Sequence, residues 1–137
     1  MSFFASLHQY SDVARLLLRL TLGAIFLLHG LPKRGLWSAK PSDRMPATML
    51  RNLRILSIAE PAGALGLIFG FLTQFAALGL VIVMLGAITF LRTKAHRKFK
   101  EENAPGWEFE FMLMMVALAL AITGAGKFAL DRVVFGI

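Results

Sequence analysis

No cysteine occurs anywhere in the chain. That absence removes thiol redox chemistry, disulfides, c-type haem attachment and iron–sulfur ligation from what these residues can do alone. It also leaves the compartment unreadable from thiol usage. Histidine is scarce: His8, His29 and His96 are the three, and only His29 falls within an apolar run. A haem held between two facing histidines is therefore beyond one copy of the chain. His96 with Glu101 and Glu102 has no second ligand set, so no metal site and no intrinsic cofactor are expected. The opening "MSFFASLHQYSD" lacks an early basic cluster and a small-residue cleavage site after an apolar core, and is read as a mature terminus rather than a signal peptide. "GAGKFALD" (124–131) is not a phosphate loop, because no strand precedes it.

Acidic residues are also few. Fifteen Lys and Arg stand against eight Asp and Glu, a formal charge of +7. A nucleic-acid partner would need a compact basic domain, and there is none. Eleven of the fifteen basic residues fall instead in 33–54 and 92–100, two segments between apolar runs. Cytoplasmic loops of membrane proteins are charged in this way. The expected partners of the loops are anionic lipids.

What the chain has in abundance is apolar length. It is 57% hydrophobic with a mean hydropathy of +0.67, more than a soluble core of this size can bury, so the excess must face lipid. Four runs carry it: 13–31, 53–72, 75–91 and 109–126. Each approaches the ~20 residues needed to cross ~30 Å of hydrocarbon, and none alternates as a barrel strand would. The fold expected is all-α, a polytopic membrane four-helix bundle forming a single transmembrane domain over 1–137. The second and third helices are expected to meet in a tight hairpin at "TQ" (73–74). An even helix count and the basic bias place loops 33–54 and 92–108 in the cytoplasm, with both termini outside. Gly79 and Gly86 repeat the spacing of Gly23 and Gly30, a faint two-fold echo.

The polar residues inside the runs are the candidate site. At about 100° per residue, Arg15, Arg19, Gly23, Phe26, Gly30 and Lys33 share one stripe of the first helix. A stripe of small and charged residues should face protein, since lipid would leave the charges unpaired. A mid-bilayer arginine costs roughly 2.5–3.5 kcal/mol, so Arg19 needs compensation. Glu60, in the second helix, is the expected partner. The two lie roughly 9 Å apart along the bundle axis at 1.5 Å per residue. Pro61 should free the Ser57 carbonyl beside the carboxylate. Arg19, Glu60, His29 and Lys33 then form either a binding pocket or a buried ion pair that fixes packing. Arg92, Glu108 and Glu110 make a secondary polar cluster near the cytoplasmic surface, where helix-dipole stabilisation of the acids is an equally simple reading. Arg15, Lys127 and Asp131 make an outer-side cluster, with Asp131 turning back toward Arg15 or Arg19. "GLIFG" (66–70) permits close helix contact within or between protomers, so a homo-oligomer is open.

Read in order, these pieces resemble the DoxX family of small four-helix membrane proteins, from about Arg15 to Asp131. They are "LLRLTLGAIFLLHGLPK" (17–33), "AEPAGALGLIFGFLT" (59–73), "AALGL" (76–80), "GWE" (106–108) and "GAGKFALD". The chain departs from the family pattern at Gln74, often basic, and at "GAG" and Ala129, where Gly-Pro-Gly and a serine are usual. The resemblance implies a membrane subunit or anchor of a redox system, linked to quinone or sulfur chemistry and working with a redox partner protein. Lacking cysteine and cofactor motifs, such a chain would depend on a diffusible quinone or on that partner. Two other readings stay open: a bundle binding or moving a small solute or lipid through protonation of Glu60, and a scaffold subunit without chemistry. Whether the chain is an enzyme is not decided by these residues.

Overall fold

The computed structural model describes residues 6–136. Part of the terminus read as lacking a signal peptide, residues 1–5, lies outside them. Four long helices follow one another: α1 (Ser11–Gly30), α2 (Ala47–Phe69), α3 (Thr73–Thr93) and α4 (Glu108–Thr123), with a short α5 (Leu130–Phe135) behind. Short 3-10 segments, Leu7–Tyr10 and Leu31–Trp37, bracket α1. Each long helix packs on its neighbour in sequence, and α1 closes the ring against α4.

Buried positions recur at spacings of three and four, which keeps one face of a helix inward. In α2 these are Ser57, Glu60, Ala64 and Leu67; in α3, Thr73, Ala77, Leu80, Met84 and Ile88; in α4, Leu113, Ala117 and Leu120. With Leu22 and Phe26 of α1 they make one core. The opposite faces are just as apolar. Leu28, Ile58, Ile82 and Ile122 are all more than half exposed. A helix apolar all round, with its outer face uncovered, belongs in lipid. The chain is an all-helical polytopic membrane protein, and α1, α2 and α3 with their extensions are long and apolar enough to span. The fourth helix is shorter than expected, at 16 residues or about 24 Å. It stops at Gly124, whose positive φ of 75° breaks the helical path.

The hairpin turn also differs from expectation. Thr73 and Gln74 are already helical, and the turn is Gly70–Leu72. Gly70 is left-handed (φ 65°), and the Phe71 amide donates back to the Gly66 carbonyl at 2.9 Å, a Schellman-type ending. Glycine placement at the α1–α2 interface follows from close approach. A Cβ on Gly23 would come within 2.6 Å of Ile68 Cγ1, and one on Gly30 within 2.6 Å of Pro61 Cδ. Gly79 and Gly86 would meet nothing within 4 Å. The spacing echo is thus not an echo of packing.

Candidate functional site

The polar residues gather at the two ends of the bundle. At the end that carries the α2–α3 hairpin, Arg19 is 1% exposed and reaches not a carboxylate but backbone. Its Nε donates to the Leu67 carbonyl (2.9 Å), Nη1 to Ala125 (2.6 Å), and Nη2 to Ile68 (3.3 Å) and Phe128 (3.0 Å). Leu67 and Ile68 belong to the last turn of α2, where carbonyls have no partner within the helix and carry the negative end of its dipole. Ala125 and Phe128 belong to the loop after α4. One planar guanidinium therefore ties three elements together. The expected Arg19–Glu60 pairing does not form, because these carbonyls supply the compensation that was assigned to the carboxylate.

Asp131 mirrors this arrangement with opposite sign. Its carboxylate accepts from the Leu72 amide (2.6 Å) and the Thr73 amide (2.9 Å), which open α3 and would otherwise be unpaired. Its own amide donates to the Gly70 carbonyl at 2.8 Å. It makes no hydrogen bond to Arg15 or Arg19, but it lines the same cleft as Arg15, on the side toward which the sequence has it turn. Arg15 Nη1 donates to Asp12 Oδ1 (3.0 Å) instead, and Asp12 also takes the Lys127 amide (3.2 Å) and lies 3.6 Å from its Nζ. Lys127 thus answers Asp12 rather than the end of α4. A polar cleft of about 260 Å³ opens here, lined by Arg15, Gln74, the 123–126 turn, Asp131 and Arg132. Beside it, an apolar groove of about 510 Å³ runs along α2 and α3 from Ala62 to Phe75.

At the opposite, basic end, Glu60 is 3% exposed and is met by Lys33, whose Nζ reaches Oε1 at 2.6 Å and Oε2 closer still. The 3-10 segment after α1 swings Lys33 over α2. Trp37 Nε1 anchors that segment to Ser57 Oγ (2.9 Å), and Arg54 secures it through the carbonyls of Leu36, Trp37 and Ala39. Neither Trp37 nor Arg54 was singled out from sequence, since a tryptophan and an arginine in a basic loop look like interfacial residues. The one available signal was the serine at 57, on the same inward stripe as Glu60.

His29 is exposed, its ring 6.2 Å from that of Phe109 in the first turn of α4. Glu110, three residues before Leu113, sits on the inward stripe of α4, and its Oε2 is buried with no hydrogen-bond partner. Glu60–Lys33, His29 and Glu110 are therefore all at this end. The expected cluster with Arg92 and Glu108 is looser: Arg92 lies over the Trp107 ring at 5.6 Å, and among the described residues it pairs with neither acid. The loop itself is ordered. Phe99, Trp107 and Phe111 pack edge to face, and the Lys98 amide and Arg97 hold the Glu101 carboxyl below the usual carboxylate range. Among the described residues no group of three metal-ligating side chains occurs.

These features can be set beside known proteins. The sequence model of the DoxX family matches residues 14–93. The Bacillus subtilis (strain 168) protein named "Putative oxidoreductase CatD" is 30% identical over 128 residues, covering 90% of this chain and 89% of that protein. No solved structure matches.

Proposed function

The chain belongs to the DoxX family, and from that premise we propose that it is the membrane subunit of a redox system and receives a quinone at its basic end. The observation that carries this is Glu110 Oε2, buried without a donor on the inward stripe of α4. A buried acceptor left unpaired is unfavourable by about 1–3 kcal/mol, so a hydroxyl-bearing ring there would be stabilised. The next residue back, Phe109, packs on His29, which is open to the bilayer and offers a ring nitrogen for a carbonyl or hydroxyl. Those groups fit the reduced, hydroquinone form of a quinone head, whose ring hydroxyl can donate to Glu110 Oε2 where a quinone carbonyl could not. When bound, such a molecule supplies the electron-carrying chemistry that cysteine-free side chains lack.

The chain's own residues bind and orient. Glu60, with both oxygens occupied by Lys33, fixes the segment after α1 over α2 and holds the end of α1 in place. It is a positioning residue. The oxidoreductase name of the Bacillus relative supports a redox partner. The same reading places the protein in a bacterial inner membrane with loops 33–54 and 92–108 cytoplasmic, supported by the eleven basic residues there against four elsewhere.

The test is extraction of quinone from the full chain purified in lipid, followed by titration with a short-chain quinone. Bound quinone that weakens in Glu110→Gln and His29→Ala supports the reading. A protein that carries no quinone, binds none on titration and brings down no redox partner removes it.

A further inference from the structure

We propose that the polar cleft at the hairpin end is a binding site for an anionic phosphate group, held by Arg15 and Arg132. This inference stands apart from the quinone reading, which concerns the other end of the bundle.

Charge favours an anion at this end. Arg15, Arg19, Lys127 and Arg132 gather at this end against Asp12 and Asp131, so four basic residues and two acidic ones leave a net of +2. The acids are already committed. Both oxygens of Asp131 take the Leu72 and Thr73 amides, and Asp12 takes Arg15 and Lys127. The bases are not. Arg15 spends only Nη1 on Asp12, and a guanidinium has five N–H donors. The guanidinium of Arg132, in α5, makes no hydrogen bond or ion pair with any described residue; its carbonyl accepts from the Gly136 amide.

Shape favours it as well. The cleft of about 260 Å³ is several times the ~30 Å³ share of one water, and both arginines line it with Gln74, residues 123–126 and Asp131, whose two oxygens are held by the Leu72 and Thr73 amides. Gly126 is left-handed (φ 77°), and a Cβ there would come within 3.2 Å of Arg15 Cδ. The turn therefore lies directly against the arginine stem. Two planar forks facing one cavity match the tetrahedral oxygens of a phosphate better than point charges would.

Depth agrees. α3 begins and α4 ends at this level, and the apolar side chains of α5 beside the cleft, Val133, Val134 and Phe135, are exposed. A short helix with apolar residues uncovered at the end of a membrane bundle lies at the boundary between headgroups and acyl chains. The phosphate groups of the bilayer are at that depth. The same chemistry could also be met by free phosphate.

The full chain is reconstituted in phosphatidylcholine nanodiscs with and without phosphatidylglycerol, and the lipid retained after detergent extraction is counted by native mass spectrometry. Inorganic phosphate is titrated in parallel by calorimetry. Wild type is expected to retain phosphatidylglycerol over phosphatidylcholine. Arg132→Gln, which removes no internal bond, should lower that preference about tenfold, as loss of one charge-assisted contact would. Arg132→Lys should restore it only in part, and Lys94→Gln at the far end should leave it unchanged. Displacement of the lipid by inorganic phosphate would assign the site to the free anion; retention despite phosphate would assign it to the headgroup. The proposal is overturned if neither probe binds preferentially, or if Arg132→Gln binds both as wild type does.

Discussion

Arg19 and Glu60 are both charges buried inside apolar helices, and the bundle answers them differently. Arg19, at the hairpin end, is met by four backbone carbonyls and touches no acid. Glu60, toward the basic end, is met by one lysine. The difference follows from where unpaired backbone groups exist. Carbonyls are free where a helix ends and in the loops beyond it, and amides where a helix begins. Arg19 lies level with the end of α2, so carbonyls are at hand; Asp131 lies level with the start of α3, so amides are. Glu60 sits in mid-helix, where every neighbouring amide is spent on the ladder. A carboxylate there needs a cation brought from elsewhere, and the 3-10 segment brings Lys33.

The sharpest break of that comparison is Arg19 itself. Arg19→Leu should lower stability in detergent by on the order of 4 kcal/mol, since it leaves buried carbonyls without donors and unties α2 from the loop after α4. Arg19→Lys should recover little, because an ammonium cannot span four carbonyls on two elements. Thermal unfolding of the two variants side by side tests this. If lysine restores full stability, the planar fork is not what matters.

At the other end, Lys33→Ala should cost about 2–3 kcal/mol, less than Arg19 because Lys33 is partly exposed. A double-mutant cycle sharpens the contrast. Lys33→Ala with Glu60→Ala should be strongly non-additive, whereas Arg19→Leu with Glu60→Ala should add within about 0.5 kcal/mol. Coupling in the second pair would mean that the two ends are not separately satisfied.

The glycines give a smaller effect. Gly23→Val should destabilise by about 1–3 kcal/mol through overpacking against Ile68 and Ala64, while Gly79→Val, with nothing within 4 Å, should not be destabilised by any clash. The smallest effect lies in the basic loop. Lys98 and Arg97 depress the Glu101 carboxyl, so its contribution is present above the unfolded pKa and fades as pH falls through the folded value. Glu101→Gln should flatten that acid-side dependence in loop proteolysis and leave neutral-pH behaviour nearly unchanged.

Much of this was readable in advance. Four apolar runs of span length, two basic loops and a stripe of glycines and arginines specify a helical membrane bundle with α1 turned inward. The candidate site was half legible. That Arg19, Lys33 and Glu60 face protein follows from the energetics of lipid, but their pairing does not. Arg19 and Glu60 were matched because opposite side chains are visible in a sequence and free carbonyls are not. Arg54 was missed for the same reason, since its partners are loop carbonyls, and the Trp37–Ser57 hydroxyl contact because it depends on the loop folding back over α2.

By itself, the order of residues determined that the chain crosses a membrane as helices and which face of each helix meets its neighbours, because periodicity and transfer free energy are local and additive. The tertiary structure alone decided which charge is satisfied by what. That depends on where helix ends fall in space, and the groups exposed there belong to every residue's backbone and so leave no mark in the side-chain pattern.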